Sequence, residues 1–566
     1  MAEMNELKEA KHHFLHGRLD EAEQTCQHVL ERTPTSAVAI HLRGLIALQK
    51  DDINLARSFL EEAIEREPRD PHFYNSLATF FVKINRFDDA VELFLKAIEI
   101  QSDYIAPYLN LVNGFVSRNR LDDAIDILRR GTEANKNDLT LRSRLASCLL
   151  KKGDIKKTLR VLEEIAGFPT ENHQHPKRIG ELFRIVAAIQ LGGGHLESAI
   201  RLYEQALQLD AKSVNSFTGL GMAFRKSGDN GKANNCYEKG LMFFPNNPEL
   251  RFNYGTHQLT RARLSEGWEY YESRLDLKHL WIIPKRYQEL KGTLWSSESL
   301  EGKSIFVHTE QGLGDTIMFS RYLLLLKERA GQVIFQPPKP METLFHTQNA
   351  GISIIPPPTR ADEITYDFFI PLLSLPKRFN TDLDNIPFPS GYLRVNPQRK
   401  RYYQDSYFST SHLKVGIVWS SNPSNEDYSE KCLALSNLLP HVDLEQIQVY
   451  SLQYPVDQSL QTELRNAAVT DVGKDLKGFD ETASAVANLD VLVTVDTAIA
   501  HLGGAIGIPT WIPVPFCPDW RWFLDRDNCP WYDSVRLFRQ RNRNDWRPVL
   551  EQVRDALEKC IESRSS

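Results

Sequence analysis

The chain has 566 residues, 42% hydrophobic and 25% charged, with a formal net charge of -6. That length exceeds what one hydrophobic core organises, so two or more domains are expected, and the composition is that of an ordinary globular protein. The acidic balance and the lack of a basic block argue against nucleic acid as the main partner. No apolar run approaches the roughly 20 residues of a membrane-spanning helix.

The first residues, Met1 to Glu31, are charged and amphipathic, unlike the apolar core of a signal peptide. The seven cysteines (Cys26, Cys148, Cys236, Cys432, Cys517, Cys529 and Cys560) are odd in number and scattered, with no C-x-x-C pair. Free thiols in a reducing cytoplasm are the expectation.

The first half repeats itself. Ala22, Ala56, Ala90 and Ala124 are 34 residues apart at each step, and Ala199 and Ala233 repeat the step. This is the period of the tetratricopeptide repeat (TPR), in which a small residue lets two helices close. Pro34, Pro68 and Pro245 end second helices, because proline cannot continue the hydrogen-bond ladder. The period slips once, between Ala124 and Ala199, and the excess maps to a polar segment, Pro169–Arg178, read as a loop; Thr158 takes the alanine position of a degenerate repeat. About seven repeats are expected, with a partial eighth near Leu250 to Leu275. Such stacks offer an extended surface to long ligands.

After about residue 300 the pattern becomes strand and helix. Ser304–Thr309, Gln332–Gln336, Ile352–Ile355 and Asp367–Pro371 read as strands, with Thr316–Ala330 as an apolar-faced helix. A second series follows at Val415–Trp419, Gln448–Leu452, Val491–Val495 and Thr510–Pro513. Between them, Asn396–Ser411 is polar and aromatic without period and is read as a linker. The expected layout is a TPR superhelix over 1–275, one Rossmann-like lobe over 276–395, the linker over 396–411 and a second lobe over 412–566. Ligands of such sheets bind at strand C-termini.

Five motifs sit at those ends. Glu310-Gln311-Gly312-Leu313-Gly314-Asp315-Thr316 follows a strand and opens a helix, where glycine admits close approach and N–H groups suit anions. Spacing alone favours Asp315 as a helix cap over any other role. Asp496-Thr497-Ala498-Ile499-Ala500-His501 also runs from strand to helix and could take a diphosphate, with Asp496 or Thr497 as a cap the plainer reading. Trp419-Ser420-Ser421-Asn422, with Lys431 beyond it, and Ser451-Leu452-Gln453 mark two further strand ends. Phe516-Cys517-Pro518-Asp519-Trp520-Arg521-Trp522 is an aromatic-basic cluster; its aromatics read most plainly as packing, but its arginine could contact phosphate or sugar.

With these five motifs in this order, and with Gly267-Trp268 and Tyr271-Glu272-Ser273-Arg274 closing the repeats, nearly the whole chain resembles bacterial TPR-containing glycosyltransferases related to the heptosyltransferase family. The resemblance implies a GT-B fold, a nucleotide-diphosphate sugar donor and inversion at the anomeric carbon. It implies Asp315 as catalytic base, with His308 a second candidate whose plainer reading is a buried structural histidine. It implies a donor site at Asp496, Thr497, Ala500 and His501, to which the other strand-end motifs add Gln311, Gly312, Gly314, Trp419, Asn422, Lys431, Ser451, Leu452 and Gln453 as candidates. Asp519, Trp520 and Arg521 would meet acceptor or sugar.

No metal is expected, since the D-x-D matches, Asp382-Leu383-Asp384 and Asp525-Arg526-Asp527, lie in the wrong context. No cofactor is expected beyond the nucleotide sugar, with UDP among the candidate bases. O-GlcNAc transferases share this layout and line their groove with asparagines. Here only Asn110 and Asn253 stand at the equivalent position, against Leu42, Ser76, Arg144, Ile185 and Gly219. The leading expectation is transfer to Ser/Thr of an acceptor protein held in the repeat groove. The rivals are a glycolipid or polysaccharide acceptor, and an inactive TPR adaptor. Homo-oligomers remain open.

Overall fold

The computed structural model describes all residues except 1, 170–175, 278–289, 291, 349–350, 357–362, 425–426 and 566. The chain divides into two compact units, Met1–Ser216 and Phe217–Ser566.

The first unit is built of antiparallel helix pairs, from Ala2–Leu15 and Leu19–Arg32 to Pro176–Gly192 and Leu196–Leu209. The 34-residue alanines do what their spacing requires: Ala22, Ala56, Ala90, Ala124 and Ala199 are all fully buried, and so is Thr158. Thr158 is accommodated because its hydroxyl donates to Asp154 O at 2.8 Å, one turn back. Gly114 shows how tight the crossings are: a Cβ there would lie 1.9 Å from the Phe87 ring. The segment read as a loop at Pro169–Arg178 falls partly outside the described residues, and its end, from Pro176, already belongs to a helix. Asn110 donates to Asn75 Oδ1 at 3.1 Å, and Asn253, in the second unit, to Glu249 O at 2.9 Å. Both asparagines of the sparse ladder are thus engaged internally.

The division falls in the first turn of the helix Val214–Ser227, which pairs with Asn230–Phe243; Pro248–Thr260 then pairs with Leu264–Tyr271. The compact division therefore falls inside the repeats rather than at 275. The reason is burial: Trp268 packs its ring on Phe319, Trp520 and Trp531, and its N–H donates to Thr381 O at 3.1 Å.

Two sheets follow. The first contains β1 (Thr293–Leu294), β2 (Ser304–His308), β3 (Gln332–Gln336), β4 (Ser353–Ile354) and β5 (Phe368–Pro371), in the order β1-β5-β2-β3-β4, all parallel. The second contains β6 (Leu413–Val418), β7 (Ile447–Ser451), β8 (Thr470–Asp471), β9 (Val491–Thr494), β10 (Thr510–Val514), β11 (Asn528–Cys529) and β12 (Tyr532–Arg539). Its order is β11-β12-β10-β9-β6-β7-β8, parallel except for β11 against β12. Strand cores are apolar on both faces, as parallel sheets flanked by helices require.

Two expectations are corrected. The linker holds a helix, Pro397–Tyr407, capped by Asn396, whose Oδ1 accepts from the N–H groups of Gln398 and Arg399. Its Tyr403, with Phe408 beyond, is buried against Val418, Tyr450 and Leu452. The single helix expected over Thr316–Ala330 is two, Leu313–Phe319 and Arg321–Lys327. Around the break, carbonyls accept from side chains: Ile317 O from Ser320 and Tyr392 hydroxyls, and Met318 O from the Arg321 guanidinium. Among the described residues no helix is long and apolar enough to cross a membrane.

Candidate functional site

In each sheet the chain reverses its direction of growth at one place. In the first, β2 stands between β3, which continues one way, and β5, which lies the other way. In the second, the reversal falls between β6 and β9. Crevices at the carboxyl ends of strands form at such points. The motif around Asp315 follows β2. The motifs around Trp419 and Asp496 follow β6 and β9, whose last residues pair in register, Val418 with Thr494.

The loop after β2 is held from behind. Glu310 is buried and takes a two-pronged contact from Arg274, Nη2 to Oε1 at 2.8 Å and Nε to Oε2 at 3.1 Å. Leu373 N–H adds a third bond to Oε1 at 3.2 Å, and Tyr271 OH donates to Gln311 Oε1 at 3.1 Å. The Tyr-Glu-x-Arg segment closing the repeats therefore fixes the Glu-Gln-Gly loop. Burial alone would lower the Arg274 pKa, but Glu310 and Glu272 raise it, so the guanidinium stays charged.

Asp315 does two things. Its Oδ2 accepts from Gly312 N–H at 3.0 Å, the capping role spacing suggested. Its Oδ1 accepts from Arg521 Nε at 2.9 Å and from Nη2. Arg521 also gives Nη1 to Asp519 Oδ1 at 2.6 Å and lies over the Trp520 ring, 4.3 Å from its centroid. One guanidinium so joins a carboxylate after β2 to the loop after β10. Burial would lower its pKa, but Asp315 and Asp519 carry it well above the ordinary value. Asp496 caps nothing. It faces Lys431 Nζ at 3.6 Å, and burial, with Asp519 nearby, pushes its carboxyl above the ordinary range. Thr497, at the N-cap of the helix Ala498–Ile506, places no side-chain bond on that helix; its hydroxyl lies 3.2 Å from that of Thr494.

His501 is a buried neutral ring. Burial, then Arg521, pushes its pKa down to about 3. It stacks on Trp522, centroids 4.9 Å apart, and shares a hydrogen bond with Tyr532 OH at 3.1 Å. This explains Gly314, since a Cβ there would lie 2.8 Å from His501 Cδ2. With the histidine pinned on two sides, Gly314→Ala should cost about 1–3 kcal/mol of stability in denaturant unfolding, the range for overpacking. An unchanged midpoint would mean that the two motif helices can slide apart.

The other candidates divide. Gln453 Oε1 accepts from Ser420 N–H at 3.1 Å, joining the loops after β6 and β7. Asn422 is exposed and closes a turn on Ser424 N–H. Trp419, Leu452 and Ala500 have their side chains in the core, so only their main chains could meet a ligand. Ser451 is fully buried, and Trp520 packs on Trp268 and Tyr271. His308 is buried at the end of β2 beside the Phe306 ring, as a structural histidine would be. A cavity of about 590 Å³ is lined in part by Lys327, Phe345, Gln348, Tyr392 and Arg394, and Asp315 is not in its lining. The sequence names Arg274 and Trp522 only as members of motifs, with no partner for either, and gives no role to Tyr532. The alternation of Val535 and Leu537 with Arg536 marks β12 as a strand but puts Tyr532 on the Arg536 face, so it gave no signal for the buried tyrosine.

The tetratricopeptide-repeat family profile matches residues 41–105. Protein FlbA of Caulobacter vibrioides is 26% identical over 348 residues, 56% of this chain and 57% of that protein, so the chain spans little more than half the length of this curated relative. Among solved structures, pilF of Pseudomonas aeruginosa is similar over 38% of this chain and 95% of its own, at 16% identity and TM-score 0.30. YrrB, described as a TPR protein with an unusual peptide-binding site, is similar over 34% and 95%, at 20% identity and TM-score 0.26. The C-terminal part of a TPR protein from Cytophaga hutchinsonii covers 44% and 98%, at 13% and 0.35. The family match and the repeated helix pairs make the N-terminal part TPR-rich, and parallel sheets follow it.

Proposed function

We propose that this chain is an inverting, metal-independent glycosyltransferase of GT-B type, which moves a sugar from a nucleotide-diphosphate donor to Ser/Thr of a protein recruited by its repeats. The observation that carries the reading is the convergence of Asp315, from the end of the first sheet, with Asp519 and Arg521 from the second, while Lys431 and Asp496 lie on the same side. A base, and cations beside a helix start, are the two parts that sugar transfer needs. Asp315 would take the acceptor hydroxyl's proton as the oxygen attacks the anomeric carbon. Lys431, Arg521 and the helix start at Ala498 would stabilise the departing diphosphate. The test is release of nucleoside diphosphate from UDP-, GDP-, ADP- and dTDP-sugars, with label followed into protein or lipid to read the acceptor. If no such donor is bound or turned over, the chain is a TPR adaptor instead.

The charges predict a pH dependence. Asp315, Asp496 and Asp519 face Lys431 and Arg521, three negative groups against two positive. His501 is neutral, and the Trp522 indole adds no charge. A diphosphate raises the Asp496 pKa further, so binding should take up a proton there. Affinity for nucleoside diphosphate should therefore fall as pH rises through the elevated pKa of Asp496, and Asp496→Asn should flatten the curve. Calorimetry in buffers of different ionisation enthalpy measures the uptake. A flat wild-type profile would take Asp496 out of the pocket.

A further inference from the structure

The cation nearest Asp315 is already spent on it. Asp315 Oδ1 accepts twice from Arg521 and Oδ2 once from Gly312, so Oδ1 is the oxygen already engaged before a substrate hydroxyl arrives. Arg521 in turn is held at three points: Asp315, Asp519 and the Trp520 face. Trp520 and Trp522, on either side, are buried, the first against Trp268 and the second against His501. The main chain at 521 is therefore anchored, and movement is left to the arginine side chain. Its head is a planar fork, the geometry that matches carboxylate and phosphate alike.

We propose that Arg521, paired with Asp315, is a diphosphate-binding residue, and that the donor's diphosphate displaces Asp315 from it. The inference rests on the glycosyltransferase reading and adds an order of events. The guanidinium exchanges one carboxylate for phosphate oxygens and keeps Asp519 through Nη1. Asp315 Oδ1 is released in the same step and becomes free to accept the acceptor's proton. No covalent bond forms or breaks in the exchange. The base is thereby uncovered only once donor is present, and water or acceptor arriving first meets a carboxylate already engaged.

The exchange has a thermodynamic signature that a simple donor site lacks. A diphosphate must compete with Asp315 for Arg521, so removing the competitor should help it. The full-length protein is titrated calorimetrically with UDP, GDP, ADP and dTDP, and the nucleotide that binds is carried through the variants. Asp315→Asn keeps the shape and loses the charge, and should bind that nucleoside diphosphate at least 3-fold more tightly than wild type. Arg521→Gln should bind it at least 10-fold more weakly, with Arg521→Lys in between, and none of the three should change binding of the parent nucleoside. Melting temperatures of each variant show whether it is folded. Equal or weaker binding by folded Asp315→Asn would overturn the exchange, as would unchanged binding by Arg521→Gln. Wild-type protein that binds none of the four nucleotides would instead overturn the donor site itself.

Discussion

Asp315→Ala should reduce release of nucleoside diphosphate from the accepted nucleotide sugar by roughly 10²–10⁴-fold, the usual contribution of a general base. The competing account gives Asp315 only its capping bond to Gly312. A lost cap costs typically ~1 kcal/mol of stability and leaves turnover in the surviving folded protein almost intact. The two accounts separate in one experiment, in which initial rates are normalised to folded protein. Asp315→Asn sharpens it. That variant keeps a side chain able to accept from Gly312 but has no charge for Arg521 and no carboxylate to take a proton. A rate within about 3-fold of wild type for either variant would exclude Asp315 as the base.

Fold and site were legible to different depths. The repeats could be read because a stacked helix pair imposes a local rule, a small residue every 34 positions, and Ala56 or Ala90 obeys it with no help from distant residues. The main strands were readable for the same reason: β3 and β9 are short apolar runs between polar turns. Where sequence reading failed, the deciding interaction was distant. Nothing near Asn396 announces that Tyr403 and Phe408 will meet Tyr450, so a helix was read as a linker. The break at Ser320 depends on Tyr392, over 70 residues further on. For Asp315, spacing alone favours the cap, and the base role comes only from the resemblance. Its cap partner is three residues away, whereas its guanidinium partner is 206 residues away. Motif order pointed to loops that the fold brings together, but which side chains touch is a property of the closed fold.

The network behind the site gives the largest expected loss of stability. Arg274 is fully buried, and Glu310 and Glu272 are 1% and 15% exposed. Two carboxylates and the Ser374 hydroxyl converge on this one guanidinium. Arg274→Met fits the space with an apolar chain but leaves Glu310 with only the Leu373 N–H. Breaking a buried pair from one side costs about 3–5 kcal/mol, because a charge is left behind without compensation. The loss should depend on pH with a definite sign. Burial already pushes the Glu310 carboxyl up, and Arg274 is what opposes it. Without Arg274 the pKa climbs further, so the folded variant holds a proton that the unfolded chain releases above about pH 4.3. Stability of the variant relative to wild type should therefore fall as pH rises from that point through neutrality, and recover on acidification. Urea unfolding at pH 5 and pH 8 measures this. Adding Glu310→Met should return part of the loss and reduce the pH dependence, since an apolar pair replaces a lone charge. A single-variant loss below about 1 kcal/mol, equal at both pH values, would mean that the Glu-Gln-Gly loop is not held by this arginine.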